Sequence, residues 1–258
     1  MSPNTVNIIK KENIGTLVLN RPEVMNALNA EMITALGAGI DQIASDEDIK
    51  VVVVKGSGQH FSSGADMNLL DQEISPFQWL EGMRLFGRVI KRLREIPQPV
   101  VTLLRGVAAG GGANLALAGD FVVAAEDARF IEIFVHIGLV LDGGGTYFLP
   151  RLVGLTRARE LALLGNEING KTAAAIGLIY KSVPAEELDA EVQALAEQLA
   201  QKPLASMGLI KESLDGSFDK SLQEILDWEA AHQAILFQTP AHKEMVKMFL
   251  ASRAKKQL

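Results

Sequence analysis

The run Pro99-Val-Val-Thr-Leu-Leu104 leads directly into Gly106-Val-Ala-Ala-Gly-Gly-Gly-Ala-Asn-Leu-Ala-Leu-Ala-Gly-Asp120. No other stretch restricts the fold as strongly. A short, continuous apolar run reads as a strand covered on both faces. The Ala/Leu-rich segment after the glycines reads as a buried helix. Three consecutive glycines cost conformational entropy, so a bare backbone is needed at this turn. The helix start brings unsatisfied N–H groups and a positive dipole end to the same spot, which suits an anion, either permanent or formed in a transition state. A tight turn without function accounts for the glycines equally well. No Gly-Lys-Ser/Thr follows, so this is not a Walker A loop, and contiguous glycines lack the Rossmann spacing.

The flanking sequence sets this turn in an α/β pattern. Residues 6–9 and 15–19 are extended runs joined by a hairpin signal. A helix follows with Ile33, Leu36, Ile40 and Ile43 on one face. Residues 49–54 and 121–125 are further apolar runs, read as buried strands. Between them, Trp79, Met83, Phe86, Ile90 and Leu93 stripe a helix that Pro97 and Pro99 end. Residues 67–77 have no clear period and are expected to form a flap. Strand alternating with helix implies parallel pairing, and ligands in such sheets bind at the carboxyl ends of strands. Two strand-to-helix loops, 55–67 and 105–112, are glycine-rich. Short helices are predicted over 156–164 and 171–176, and a strand over 178–183. Helices are predicted over 185–199, 204–214, 221–237 and 241–254. The expected organisation is an α/β core over residues 1–200 and a helical C-terminal region over 201–258.

Several function classes drop out on composition. The net charge of −6 argues against general nucleic-acid binding but leaves room for a small polyanion on a local basic patch. With no cysteine, thiol catalysis, disulfides and zinc-thiolate sites are excluded. His60, His136, His232 and His242 are scattered without ligand spacing, so no metal site is expected. No apolar run approaches a membrane span and the N-terminus has no signal-like segment, which points to a cytoplasmic protein.

The two glycine loops could aim two backbone N–H groups at one point, the geometry of an oxyanion hole. A third piece is Ile137-Gly-Leu-Val-Leu-Asp-Gly-Gly-Gly-Thr146. Asp142 there follows an apolar run, and a carboxylate in apolar surroundings has a raised pKa suited to proton transfer near neutral pH. Equally, Asp142 could cap a helix starting near Gly144.

Four motifs now stand in order: Leu19-Asn-Arg-Pro-Glu-Val-Met-Asn-Ala-Leu-Asn29, Phe61-Ser-Ser-Gly-Ala-Asp-Met67, Gly106-Val-Ala-Ala-Gly-Gly-Gly112 and Gly143-Gly-Gly-Thr-Tyr-Phe-Leu-Pro-Arg-Leu-Val-Gly154. In sequence and spacing they resemble the enoyl-CoA hydratase/isomerase (crotonase) family. The resemblance implies a crotonase-like spiral of ββα units with a helical C-terminal region that assembles subunits or acts as a lid. It further implies acyl-CoA thioester substrates, no metal or redox cofactor, and a homotrimer or dimer of trimers. By the same resemblance, Ala65 and Gly111 supply the oxyanion N–H groups. Met25, Ala27, Ser63, Asp66, Met67, Gly112 and Phe134 are expected to line the substrate, although Asp66 could instead cap its loop.

The chain departs from the family's hydratases at the two glutamate positions, which here are Asn114 and Phe134. Glu132 lies two residues early; in an extended segment its backbone would be displaced by about 6–7 Å, which argues against substitution. Asn114 is expected at the catalytic centre as an orienting group, not a base. An aspartate at position 142 resembles the acyl-CoA isomerases of phenylacetate catabolism and, with a different mechanism, the nucleophile of chlorobenzoyl-CoA dehalogenases. The dehalogenases also use a histidine in the helix before the second oxyanion strand, and residues 78–96 here contain none. The expectation is therefore double-bond isomerisation with Asp142 as acid/base. Alternatives are an enoyl-CoA hydratase using Asp142 or Glu132, and a non-catalytic acyl-CoA-binding member. His136 and His60 are expected to be structural. Lys243, Lys247, Lys255 and Lys256 are expected to form a solvated face or to meet CoA phosphates.

Overall fold

The structure, a computed structural model, describes residues 4–70 and 73–255. β1 (Val6–Lys11) and β2 (Ile14–Leu19) form the expected antiparallel hairpin. α1 (Ala30–Ala44) starts at Asn29, whose side chain accepts the Met32 N–H. It buries Met32, Leu36, Ile40 and Ile43 at helical spacing. β3 (Val51–Gly56) lies parallel to β2. Part of the expected flap is ordered: α2 (Met67–Leu70) is one helical turn, and α3 (Pro76–Glu95) begins with a Ser75/Gln78 capping box. Residues 71 and 72 of that stretch lie outside the described residues.

β4 (Val100–Leu104) and the unforeseen β5 (Val107–Ala109) precede α4 (Gly111–Leu117). β6 (Phe121–Ala125) and β7 (Arg129–Ile131) precede a 3-10 turn over Ile133–Ile137 and then α5 (Gly145–Leu164). The predicted helix over 156–164 is only the second half of α5, which bends at Gly154 (φ 70°, ψ 164°). β8 (Ile168–Asn169), α6 (Gly170–Ala175), β9 (Lys181–Val183) and α7 (Leu188–Ala200) complete the core.

These strands form two sheets. The larger runs β1-β2-β3-β4-β6-β9, parallel from β2 onward. The smaller runs β5-β7-β8. Each turn of chain enters the first sheet and then the second: β4 continues to β5, and β6 to β7. After β3 the chain makes a single parallel bridge at Ser62 to Ala108 of β5. The spiral therefore places the residue-62 loop, β5 and β7 side by side, just past the carboxyl ends of β3, β4 and β6.

α8 (Leu204–Asp215), α9 (Leu222–Leu236) and α10 (Pro240–Lys255) follow. Among the described residues none beyond position 200 is buried in the single chain. Phe218 and Leu222 are 69% and 74% exposed. α8 is tied to the core by charge: Lys211 Nζ lies 2.8 Å from Asp120 Oδ2, and Arg94 pairs with both Asp120 and Asp215. No helix among the described residues is long and apolar enough to cross a membrane.

Candidate active site

The backbone side of the site follows from two parallel bridges. Leu28 N donates to Gly64 O at 2.7 Å, and Asp66 N donates to Leu28 O at 3.0 Å. A parallel bridge of this kind uses the groups flanking Ala65, so the N–H of Ala65 itself faces the other way. Gly110 N is held by Ile131 O at 2.9 Å, with Gly110 at φ 51°, ψ −125°, a conformation that favours glycine. Gly111 is then the first residue of α4, and its N–H has no intrahelical acceptor. The two loops touch: a methyl group on Gly64 would lie 2.6 Å from Ala109 O and 3.6 Å from Gly111 N.

Asp142 stands over this corner. A methyl on Gly111 would lie 3.3 Å from Asp142 Oδ1, 3.4 Å from Phe86 Cε1 and 3.6 Å from Leu28 Cδ1. Burial pushes the Asp142 carboxyl up to about 6, and Oδ1 has no hydrogen-bond donor among the described residues. The capping alternative is not realised: Gly144 occupies the N-cap of α5 without a side-chain cap bond, and it is the Asp142 carbonyl that accepts from Gly145 N at 2.9 Å.

Asn114 is fully buried, and its Nδ2 donates to Asp142 O at 2.9 Å and reaches Glu132 Oε2 at 3.4 Å. It therefore ties the Asp142 loop to α4, in keeping with an orienting group that is not a base. Glu132 is the residue that sequence reasoning undervalued. The 6–7 Å displacement presumed an extended segment, but β7 stops at Ile131 and a 3-10 turn begins at Ile133. The carboxyl swings in towards Asn114 and is 1% exposed. Burial pushes it up to about 8, the Asn114 bond opposes this, and the Asp142 charge adds to it.

Other expected residues separate by position. Met25 (43% exposed) and Met67 (69%) flank the Ala65 loop, with Ala27 buried behind them and Ser63 Oγ donating to Val24 O at 3.3 Å. Asp66 braces its own loop, as the capping alternative expects: its Oδ2 pairs with Arg21 Nη1 at 2.8 Å, and its Oδ1 accepts from Asn68 N and Nδ2 at 3.1 Å. Burial would raise this carboxyl, but Arg21 and Asn68 outweigh it and hold it below the usual range. A methyl on Gly112 would meet the Ser62 side chain at 2.7 Å, so close packing requires glycine there. Phe134 is buried against the Gly110 turn, again behind the site. A cavity of about 460 Å³ opens beside Gly143 and Gly144, with Gly87, Ile90, Tyr147 and Phe148 in its wall and Lys91, Arg94, Glu95 and Asp215 also lining it. α3, through Phe86 beside Gly111 and Gly87 in the cavity wall, thus borders the site.

No histidine ring bonds Asp142. His60 Nδ1 accepts from Val107 N, His136 Nε2 meets Gly165 O at 3.0 Å, His232 stacks on Trp228, and His242 contacts Phe237 edge-on. Among the described residues no group of three or more histidine, aspartate or glutamate side chains is placed to hold a metal ion. Lys243 and Lys247 are exposed on α10, and Lys256 lies outside the described residues.

The ββα spiral thus brings the Ala65 loop, the start of α4 at Gly111 and the Asp142 carboxyl to one corner, an arrangement that could stabilise an oxyanion. Residues 9–257 match the family model described as enoyl-CoA hydratase/isomerase. The 1,2-epoxyphenylacetyl-CoA isomerase of Escherichia coli (strain K12) is 37% identical over 95% of this chain and 94% of its own. A probable enoyl-CoA hydratase of Rhodobacter capsulatus is 35% identical over 98% and 97%. The crystal structure of an enoyl-CoA hydratase from Polaromonas sp. JS666 superposes with a TM-score of 0.92 at 28% identity, covering 96% of this chain and 97% of that one. The chain belongs to the enoyl-CoA hydratase/isomerase family and has the crotonase fold.

Proposed function

We propose that this protein is an acyl-CoA isomerase that shifts a carbon–carbon double bond through an enolate. One observation carries the reading: the Asp142 carboxyl, raised to about 6, sits with an unpartnered Oδ1 directly over Gly111. With the thioester oxygen at the Ala65 and Gly111 N–H groups, Asp142 takes a proton from the carbon next to the thioester carbonyl. The C–H electron pair moves into the enolate, whose oxygen the two N–H groups stabilise. The same acid then protonates the far end of the conjugated system, and the double bond moves by one position. Phe86 and Leu28, packed beside Gly111, favour carbon protonation over attack by water.

In this reading coenzyme A is part of the substrate, and no metal or redox cofactor takes part. Met25, Ala27, Ser63 and Met67 border the path of the CoA arm. The cavity beside Gly143 takes the acyl group. The exposed apolar side chains of α8–α10, such as Phe218 and Leu222, form the subunit contact of a trimer or dimer of trimers, which sedimentation analysis tests.

Hydration is a second reading, supported by Glu132 as a second carboxyl in the cluster and by the hydratase name of one relative. A panel of 2-enoyl- and 3-enoyl-CoA esters in heavy-oxygen water separates the two. Interconversion of the enoyl isomers without label supports isomerisation, whereas a labelled 3-hydroxyacyl product overturns it.

A further inference from the structure

Asn114 Oδ1, Glu132 Oε1 and Asp142 Oδ1 are three buried oxygens with no donor among the described residues. All three belong to one cluster, joined by the Asn114 Nδ2 contacts to Asp142 O and to Glu132 Oε2. With both carboxyls ionised, this cluster has a surplus of acceptors and two like charges in an apolar setting, an arrangement of high cost. One added proton relieves both problems, because it removes a charge and creates a donor.

We infer that Glu132 is a positioning residue that stays protonated at neutral pH, so that Asp142 alone carries the negative charge of the acid pair. The location favours this assignment. Glu132 is 1% exposed, one residue beyond the Ile131–Gly110 hydrogen bond, and faces the interior side of Asn114. In this role it acts through Asn114 and through the charge of Asp142. The surroundings contain no competing counter-ion. α4 and β5 have no ionisable side chain. On β7, Arg129 is paired with Glu167, and in the 3-10 turn the His136 ring is bonded to Gly165 O. At the start of α5, Tyr147 points to Asp215 O. Among the described residues the charge that acts on Glu132 is Asp142, which raises the carboxyl further.

A neutral Glu132 has a consequence for rate. While it holds its proton, the enolate forms against a single nearby carboxyl. Once it ionises, a second buried negative charge opposes the enolate. The rate should therefore rise as Asp142 ionises near pH 6 and fall as Glu132 ionises near pH 8.

The inference rests on Asp142 as the base, so its test includes a readout independent of turnover. In Glu132→Gln the amide keeps the acceptor for Asn114 and supplies a permanent donor. The expected result is a kcat lowered by no more than about tenfold near pH 6.5 and loss of the alkaline limb. An unchanged alkaline limb overturns the inference. So does a loss of about a thousandfold at every pH with CoA-ester binding intact, which would make Glu132 a proton-transfer group itself. Infrared titration of Asp142→Asn reads the Glu132 proton directly, whether or not Glu132→Gln folds. A protonated-carboxyl C=O band that persists through neutral pH and disappears in alkali supports the assignment; absence of any such band at neutral pH overturns it. Should Asp142→Asn isomerise at full rate, the functional reading fails while the infrared result still decides the state of Glu132.

Discussion

The site has two sides built from different material. On the glycine side, 63–66 and 110–112, the working groups are backbone N–H, and side chains matter by being small. On the acid side, 132–142, the working groups are carboxyls whose behaviour depends on burial and on one amide between them. The glycine side is held by strand pairing, with Leu28 to Gly64 and Gly110 to Ile131. The acid side is held by Asn114 and by turn bonds such as Gly145 N to Asp142 O, and two of its carboxyl oxygens have no donor among the described residues. Backbone geometry gives a fixed electrostatic receptor, while buried carboxyls give a response that changes with pH.

Substitutions on the two sides should break differently. Asp142→Asn removes the base, and kcat for double-bond shift should fall by about 10³-fold or more with CoA-ester affinity retained. Gly111→Pro removes one N–H at the first helical position, where proline is tolerated. It should cost roughly 3–4 kcal/mol of transition-state stabilisation, or about 10²–10³ in rate. Gly111→Ala, which keeps the N–H, serves as the control for the added methyl.

Stability comes next in size. Arg21→Met strands the buried Asp66 carboxylate and should cost about 3 kcal/mol in denaturant unfolding. Because Asp66 is held below the usual range, the wild-type contribution is present above the ordinary carboxylate pKa and is lost on acidification. Arg21→Met should lose that acid dependence. Glu132 has the opposite sign. Its folded carboxyl holds a proton up to about pH 8, so the protein binds more protons folded than unfolded between pH 4.5 and 8. Stability should therefore decline with rising pH across that window, by about 1–3 kcal/mol after relaxation, and Glu132→Gln should flatten the slope. The smallest effect belongs to His136→Ala, which loses one bond to Gly165 O and should cost about 1 kcal/mol with the rate profile unchanged.

The two sides also differed in how far sequence revealed them. Continuous apolar runs announced β3, β4 and β6, and glycines between strand and helix announced the receptor. β5 and β7 escaped because three-residue strands are too short to show a period. The start of α5 was hidden by Gly143–Gly145 and Pro150, which read as loop. Glu132 escaped because its offset was measured along an extended chain, whereas a 3-10 turn compresses the following residues. Asp142 was legible as an acid, but whether it caps the following helix needed the position of Gly144. The apolar stripe of α3 concealed Phe86, since a residue that walls a site looks the same as one that fills a core.

The central claim is that Asp142 is the base above a backbone oxyanion receptor. Its most direct test is exchange of the α-hydrogens of a saturated acyl-CoA in heavy water, followed by proton NMR. The wild-type protein should catalyse exchange, with a rate that rises through pH 6, and Asp142→Asn should bind the ester equally well and show none. Exchange by Asp142→Asn at the wild-type rate would contradict the account.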